Sequence, residues 1–222
     1  MGKYDDRCDT TTIISLLKRG RTFRDLPMRI CFIGDSFVNG TGDDDCLGWP
    51  GRLCAEARSR GYDITLYNLG IRRDTSGDVA RRWEREAAAR LPVELDGRLV
   101  FSFGVNDCVL DRGLPRILEE ETLANARRIL ERARTTWPTL MVGPPCAGEA
   151  ALDERVSRLS GRLDALCRVL SVPYLPIFPR LAGAEVWRME ARRGDGIHPN
   201  RGGYTLLHQA VLDWPPWRDW VT

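Results

Sequence analysis

The histidines are the natural starting point, because the chain contains only two, His198 and His208. His198 lies in the segment 194–200, which has the sequence GDGIHPN and places Asp195 three residues before the imidazole. At this spacing the carboxylate can meet one ring nitrogen within a turn, fix the tautomer and leave the other nitrogen free to accept a proton. A simple Asx-type turn is the alternative interpretation, because Asp, Gly and Pro all favour turns. His208 lies among apolar residues of a helical pattern, which favours a packed or surface role.

Ser36 is the candidate nucleophile. It follows an apolar run that ends at Gly34, and it could begin a helical turn whose backbone N–H groups favour developing negative charge. A serine hydroxyl is a weak nucleophile until a base takes its proton, so this role depends on His198. Without that base, Ser36 is expected to be an ordinary loop serine or a helix N-cap.

Attack on a carbonyl carbon also needs hydrogen-bond donors for the oxygen that becomes negatively charged. Each well-placed donor is worth about 3 kcal/mol, or roughly 10²-fold in rate. Three candidates follow apolar runs: the backbone N–H groups of Ser36 and Gly70 and the side-chain amide of Asn106. Asn106 on its own would indicate only a turn, and its significance comes from sharing a predicted sheet edge with the other two.

These residues must be positioned by the elements around them, and the chain alternates short apolar runs with amphipathic helical patterns. The apolar runs predict five strands, at 28–33, 64–69, 99–103, 139–142 and 173–178. The helical patterns cover about 50–60, 76–91, 118–134, 150–170 and 203–212. Strands that alternate with helices predict a parallel sheet covered on both faces, with ligands bound beyond the carboxyl ends of the strands.

The rest of the chain is expected to be less regular. Residues 1–26 predict an N-terminal arm or short helix, and residues 27–222 predict a single domain without an internal repeat or linker. The stretch 179–199 is expected to be irregular. The tail 213–222 carries three tryptophans around two prolines. We expect it to be a non-helical segment that packs its indoles on the domain, rather than a self-association or acyl-chain patch.

The composition excludes several classes of function. The 222 residues include 33 Lys or Arg and 31 Asp or Glu, a net charge of +2, so there is no electrostatic case for nucleic acid or an anionic membrane. No apolar run approaches the ~18–20 residues of a membrane span, and the N-terminus lacks a signal-peptide core. Seven cysteines without a C-x-x-C pair favour reduced thiols and a cytoplasmic location.

No metal or organic cofactor is expected. The chain lacks the clustered ligands of a zinc site. The run Asp43-Asp44-Asp45 could suggest calcium, but the later Gly and Glu of a calcium loop are missing, and a solvated acidic loop is favoured. Cys108 follows Asn106 closely, yet the sequence places no base beside it, so it competes poorly with Ser36 as a nucleophile.

Four short blocks together resemble the GDSL-type (SGNH) esterases and lipases. They are Gly34-Asp35-Ser36, Asn68-Leu69-Gly70, Gly104-Val105-Asn106-Asp107 and Asp195-Gly196-Ile197-His198-Pro199. The resemblance covers roughly residues 28–212, with the blocks in the order and spacing of the family. Gly40-Thr41-Gly42 and Leu47-Gly48-Trp49 are similar to its bacterial lipase-like branch. Phe37 replaces the Leu of the name motif, which is a conservative change.

The resemblance implies a flavodoxin-like three-layer α/β/α sandwich with a five-stranded parallel sheet. It implies Ser36 as the nucleophile, His198 as general base and acid, and Asp195 as the carboxylate that orients the ring. Ser36, Gly70 and Asn106 would form the oxyanion hole. The larger α/β-hydrolase fold is not indicated, because its G-x-S-x-G elbow would need a glycine where Val38 stands.

The expected function is a serine ester hydrolase that cleaves small to medium acyl esters of small molecules through an acyl-enzyme intermediate. A carbohydrate O-deacetylase or an acyltransferase with the same triad is the nearest alternative. A binding module that retains the fold without catalysis is the alternative from another class, and the pairing of Asp195 with His198 argues against it. The sequence leaves open the natural substrate and whether the protein forms a homo-oligomer.

Overall fold

This computed structural model describes residues 27–92 and 95–221. The strands of this part of the chain are β1 (Met28–Gly34), β2 (Ile64–Gly70), β3 (Asp96–Ser102), β4 (Leu110–Asp111), β5 (Leu114–Pro115), β6 (Thr139–Val142) and β7 (Tyr174–Leu175). β4 and β5 form a small antiparallel hairpin. The other five form one parallel sheet in the order β2-β1-β3-β6-β7. The predicted five-stranded parallel sheet is confirmed.

Helices flank this sheet. They are α1 (Ser36–Asn39), α2 (Gly48–Ser59), α3 (Ser76–Ala88), α4 (Val105–Cys108), α5 (Glu119–Ala133), α6 (Ala150–Val169), α7 (Phe178–Ala182), α8 (Glu185–Arg193), α9 (Arg201–Leu212) and α10 (Pro215–Arg218). The long helices pack in two groups, α2, α8 and α9 in one and α3, α5 and α6 in the other. Two helical layers around one sheet are the predicted three-layer α/β/α architecture.

The strand register brings the carboxyl ends of the central strands to one level. Gly34 at the end of β1 lies beside Gly70 of β2 on one side and Ser102 of β3 on the other. The middle of β1, Ile30–Ile33, is completely buried, as expected for a parallel strand that is covered on both faces. The polar residues that follow β1 and β3 therefore leave the sheet at the same edge.

Two segments differ from the sequence prediction. The stretch 179–199 is largely helical, because α8 buries Trp187 and Ala191 against the rest of the protein. The residue before α8 makes no side-chain capping bond, so the sequence carries no signal for its start. β7 is limited to two residues instead of 173–178, because Pro176 has no N–H to continue the sheet.

The C-terminal tail contains the short helix α10 and is not the non-helical segment that was predicted. Its tryptophans nevertheless pack on the core, since Trp217 is fully buried and Trp214 and Trp220 are partly buried. Residues 1–26 lie outside the described residues, so the predicted N-terminal arm and the single-domain organisation stay predictions. Over the described ranges, none of the helices is both long enough and apolar enough to cross a membrane.

Candidate active site

Ser36 lies at a sharp turn between a strand and a helix. β1 ends at Gly34, and Asp35 caps α1 by accepting a hydrogen bond from the N–H of Phe37 at 3.0 Å. The turn places Ser36 at the carboxyl end of β1, where it lines a cleft. Only 5% of the residue is exposed, so the packing around it restricts where the hydroxyl can point.

The hydroxyl of Ser36 meets the ring of His198, with 2.7 Å between Oγ and Nε2. Nδ1 on the other side of the ring lies 2.6 Å from Oδ2 of Asp195. A carboxylate only accepts hydrogen bonds, so Nδ1 carries the proton and Nε2 can accept one from the hydroxyl. The structure thus brings together the three residues that the sequence predicts as catalytic, in an arrangement that allows the imidazole to deprotonate the serine.

Two backbone N–H groups also hold the side chain of Asp195 in place. Its Oδ1 accepts hydrogen bonds from the N–H groups of Ile197 at 3.0 Å and His198 at 2.8 Å. Partial burial raises the pKa of Asp195, but the hydrogen bonds from His198 and Ile197 outweigh this effect and lower the pKa to about 2. The side chain therefore remains a carboxylate at neutral pH and keeps the imidazole in one orientation.

Aromatic packing holds the imidazole from another direction. The ring of Phe37 lies 4.8 Å from the ring of His198, measured between centroids. Trp187 stacks on Phe37 at 6.0 Å with 17° between the ring planes, and its Nε1 donates to the carbonyl oxygen of Cys146 at 3.1 Å. Phe37, which replaces the Leu of the name motif, is therefore part of the packing that positions His198. Sequence reasoning assigns it no such role.

Glu190 secures the helix that follows the histidine loop. Its carboxylate accepts hydrogen bonds from the N–H groups of Asn200 at 2.9 Å, Gly202 at 3.0 Å and Gly203 at 2.7 Å. N–H groups at the start of a helix have no partner inside it, so the carboxylate satisfies groups that would otherwise be left unpaired. Sequence reasoning misses Glu190, because its partners lie on a separate helix that only folding brings within reach.

The acidic run Asp43-Asp44-Asp45 is solvated only in part, since Asp44 and Asp45 are exposed as the sequence predicts and Asp43 is not. Asp43 is buried, forms an ion pair with Arg52 and accepts hydrogen bonds from three backbone N–H groups of its own loop. Burial raises the pKa of Asp43, but Arg52 and the backbone donors outweigh it and lower the pKa below its usual range. Asp44 exchanges two hydrogen bonds with Asn200, so this loop ties the histidine loop to the nucleophile loop.

Asn106 lies on α4, directly beyond β3. Gly104 makes the turn with a φ of 123°, which residues with a side chain rarely adopt. The side-chain amide of Asn106 donates one hydrogen bond to the carbonyl oxygen of Asp74 at 3.1 Å. Asn106 lines the same cleft as Ser36 and His198, which has a volume of about 260 Å³. Because an amide carries two N–H groups, the second is available for a group bound in the cleft.

Gly70 is placed differently from what the sequence predicts for an oxyanion donor. Ile71 donates its N–H toward β1, to the carbonyl oxygen of Gly34 at 3.0 Å. Neighbouring N–H groups along a strand point to opposite sides, so the N–H of Gly70 points away from β1. There, at the edge of the sheet, it donates to Oδ1 of Asn68 at 3.0 Å. This geometry disfavours Gly70 as an oxyanion donor and corrects the assignment made from the sequence.

Gly70 has a packing role in this structure. A Cβ atom at this position would overlap the backbone nitrogen of Asn39 and lie 2.7 Å from the carbonyl oxygen of Asp35. Only a residue without a side chain therefore allows α1 to pass so close to the end of β2. Because α1 begins with Ser36, this contact helps to set the position of the hydroxyl.

Arg73 carries another candidate N–H group. It lies in the loop after β2 and lines the cleft together with Ser36 and Asn106. Its φ of 71° lies in the left-handed region, which is unfavourable for a residue with a Cβ atom. Within residues 27–92 and 95–221, none accepts a hydrogen bond from this N–H. Sequence reasoning misses Arg73, since an arginine gives no sign of a left-handed backbone.

Two further carboxyl groups are buried beside the site. Burial raises the pKa of Asp35 to about 7, and the charge of Asp107 adds to the rise. Burial also raises the pKa of Asp107, although it accepts hydrogen bonds from the N–H of Ser76 at 2.9 Å and the hydroxyl of Thr122 at 2.8 Å. Asp35 caps α1, and Asp107 binds α3 and α5, so both carboxyl groups support elements around the site.

The other candidates for chemistry lie elsewhere or are unreactive. His208 in α9 has its ring 3.1 Å from the carboxylate of Glu56 and does not line the cleft, and burial lowers its pKa. Burial raises the pKa of Cys108 to about 12, so little thiolate exists at neutral pH. Among the residues described, no three His, Cys, Asp or Glu side chains cluster as metal ligands would.

The family comparison matches most of the chain. The model of the GDSL-like lipase/acylhydrolase family covers residues 32–206, a range that includes Ser36, Asn106, Asp195 and His198. The chain belongs to the GDSL-like lipase/acylhydrolase family. It is accordingly a carboxylic ester hydrolase, in agreement with the class of reaction expected from the sequence.

Solved structures with the same fold include three enzymes of similar length. The lipase/acylhydrolase from Enterococcus faecalis is 20% identical with a TM-score of 0.71, covering 86% of this chain and 96% of that one. Axe2, an acetylxylan esterase from Geobacillus stearothermophilus, is 18% identical with a TM-score of 0.70, covering 86% and 95%. TesA is 24% identical with a TM-score of 0.67, covering 86% and 99%. At these identities the likeness concerns the fold alone, and no curated protein matches the chain significantly.

Proposed function

We propose that Ser36, His198 and Asp195 are the catalytic triad of a serine esterase that cleaves small to medium acyl esters. The observation that carries the proposal is the pair of short hydrogen bonds along the three side chains, 2.7 Å from Ser36 Oγ to His198 Nε2 and 2.6 Å from Nδ1 to Asp195. Family membership supplies the class of reaction, ester hydrolysis. The geometry of the three side chains supports the roles proposed for them.

In the first half of the reaction, Ser36 Oγ attacks the ester carbonyl carbon while Nε2 of His198 takes the hydroxyl proton. The imidazolium that forms is stabilised by the carboxylate of Asp195. Nε2 then passes the proton to the leaving alcohol, and the acyl group remains on Ser36. In the second half, His198 deprotonates a water molecule that attacks the acyl-enzyme, and the released proton returns to Ser36 as the acid departs.

The negative charge on the carbonyl oxygen needs fixed donors at both tetrahedral stages. We assign this role to the backbone N–H of Ser36 and the side-chain amide of Asn106, with the N–H of Arg73 as a third candidate. Losing one such donor typically lowers kcat by about 10²- to 10³-fold. Proton transfer and charge stabilisation both come from protein groups in this scheme, so it uses no metal or organic cofactor.

The size of the cleft and the state of the thiols support two finer points. A cleft of about 260 Å³ is small for a ligand site, and this supports a short acyl group rather than a long chain.

The six described cysteines are unpaired and five of them are buried, which supports the proposal that the protein works in a reducing compartment, the cytoplasm.

Substitution of Ser36 by alanine tests the proposal directly. We expect the Ser36→Ala variant to lose at least about 10³-fold in kcat for 4-nitrophenyl acetate and all labelling by a fluorophosphonate. Ser59→Ala is the matched control, since Ser59 is exposed at the far end of α2. Turnover at the unsubstituted rate in Ser36→Ala would disprove the assignment. A panel of 4-nitrophenyl esters from C2 to C12 then measures the preferred chain length.

A further inference from the structure

Three arginines line one part of the cleft. Arg72 and Arg73 lie in the loop after β2 and are exposed, and Arg116 follows the β4–β5 hairpin and is half-buried. The guanidinium of Arg116 donates to the carbonyl oxygen of Arg73 at 3.0 Å, which joins the two loops into one wall. Ser36 and His198 line the same cleft, so this wall borders the proposed reaction centre.

Within the described residues, the arginines of this wall form no ion pair, and Arg116 acts on the carboxylate of Asp78 only through its charge, without direct contact. In the described part of the chain, no carboxylate lies within ion-pair distance of Arg72, Arg73 or Arg116. The acidic side chains nearby have other partners. Asp74 pairs with Arg82 at 2.7 Å, and Asp78 pairs with Arg81. The carboxylate of Asp195, which also lines the cleft, is bound to Nδ1 of His198.

Overall composition does not explain this excess. The chain has nearly equal numbers of basic and acidic residues, and many of its other arginines form ion pairs with neighbouring carboxylates. Arg73 also keeps a left-handed backbone, with a φ of 71°, where glycine would be free of strain. Three like charges on one wall repel each other, and an anion bound between them would relieve that repulsion.

We propose that the cleft binds esters that carry a carboxylate or phosphate group a few atoms from the ester bond, and that Arg72, Arg73 and Arg116 bind this anion. The inference rests on the proposed esterase function and names its class of substrate. Guanidinium groups bind carboxylates and phosphates through paired hydrogen bonds, so the wall selects for charge as well as position. The anion can belong to the acyl group or to the alcohol, and the two arms of the experiment separate these sources.

Two pairs of substrates that differ in one anionic group test the inference. Mono-4-nitrophenyl glutarate is compared with 4-nitrophenyl pentanoate for an anion on the acyl side, after subtraction of the rate without enzyme. Butyryl glycerol 3-phosphate is compared with butyryl glycerol for an anion on the alcohol side. We expect kcat/KM to favour the anionic member of at least one pair by about tenfold or more, and this preference to shrink as salt is added.

Variants then show whether the wall causes the preference. Arg72→Gln and Arg116→Gln should each reduce the anionic-to-neutral ratio of kcat/KM by roughly three- to tenfold, mainly through KM. Arg134→Gln is the control and should leave the ratio unchanged. Arg134 is exposed and lies between α5 and β6, at the end of the sheet away from the cleft. Ser36-dependent hydrolysis without a preference for either anion would overturn the inference and leave the esterase proposal standing. Hydrolysis that persists in Ser36→Ala would overturn the esterase proposal itself.

Discussion

Replacing Asp195 by asparagine probes the triad with the smallest change in shape. Asparagine keeps an oxygen that can accept the N–H groups of Ile197 and His198, as Oδ1 of Asp195 does at 3.0 and 2.8 Å. The atom that faces Nδ1 of His198 then becomes an NH2 group, which can only donate. Nδ1 must accept that hydrogen bond, so the ring proton moves to Nε2. Nε2 then donates to Ser36 and can no longer take its proton.

The size of the effect follows from this change of tautomer. A comparable substitution in a serine protease triad lowers kcat about 10⁴-fold, which is about 5.5 kcal/mol at 25 °C. The loss of the negative charge adds less in this protein, because the side chain of Asp195 is 45% exposed and solvent screens its interaction with the imidazolium. We therefore expect kcat for Asp195→Asn to fall by about 10³- to 10⁴-fold.

The assay is steady-state hydrolysis of 4-nitrophenyl acetate at pH 8, with thermal unfolding to show that the variant is folded. Asp63→Asn is the control, because Asp63 is an exposed carboxylate just before β2, at the end of the sheet away from the cleft, and pairs with Arg58 at 3.3 Å. KM should change little, since Asp195 acts through the ring. A folded Asp195→Asn variant with kcat within about tenfold of the unsubstituted protein would refute the tautomer argument.

Three other substitutions test separate parts of the site. Gly70→Ala should lower kcat about 10²-fold or more, although it removes no N–H group, because the new Cβ would displace the backbone of Asn39 and hence Ser36. A normal kcat in this variant would show that α1 adjusts freely. Asn106→Ala should lower kcat by about 10²- to 10³-fold with little change in KM, and an effect on KM alone would assign the amide to substrate binding. Asp35→Asn tests the pH dependence of stability. Burial raises the pKa of Asp35 from 3.8 to about 7, so the folded protein holds this proton more tightly than the unfolded chain does. The stability of the unsubstituted protein therefore falls as the pH rises between these two pKa values. Urea unfolding should show the variant gaining up to about 4 kcal/mol relative to the unsubstituted protein between pH 4 and pH 8, whereas a constant difference would mean that Asp35 ionises normally.

Local patterns in the sequence were enough to predict the sheet and the contact between Asp195 and His198. Alternating apolar runs and helices imply parallel strands, and parallel strands place their carboxyl ends at one edge, where Ser36 and Asn106 both lie. Asp195 and His198 are three residues apart, so the contact between carboxylate and imidazole forms within a single turn. These inferences rest on patterns and spacings over short stretches of the chain, which can be read directly from a sequence.

The tertiary structure alone decided which donors and charges face the cleft. The N–H of Gly70 points away from the site because its strand pairs with β1 on the opposite side, and no residue type records that direction. Glu190 supports the histidine loop from another helix. Asp43 is buried and pairs with Arg52, although the sequence around it shows only a run of acidic residues. The wall formed by Arg72, Arg73 and Arg116 exists because two loops far apart in the chain meet there. Such contacts depend on the relative placement of whole elements, which the packing of the core determines and short-range sequence patterns do not encode.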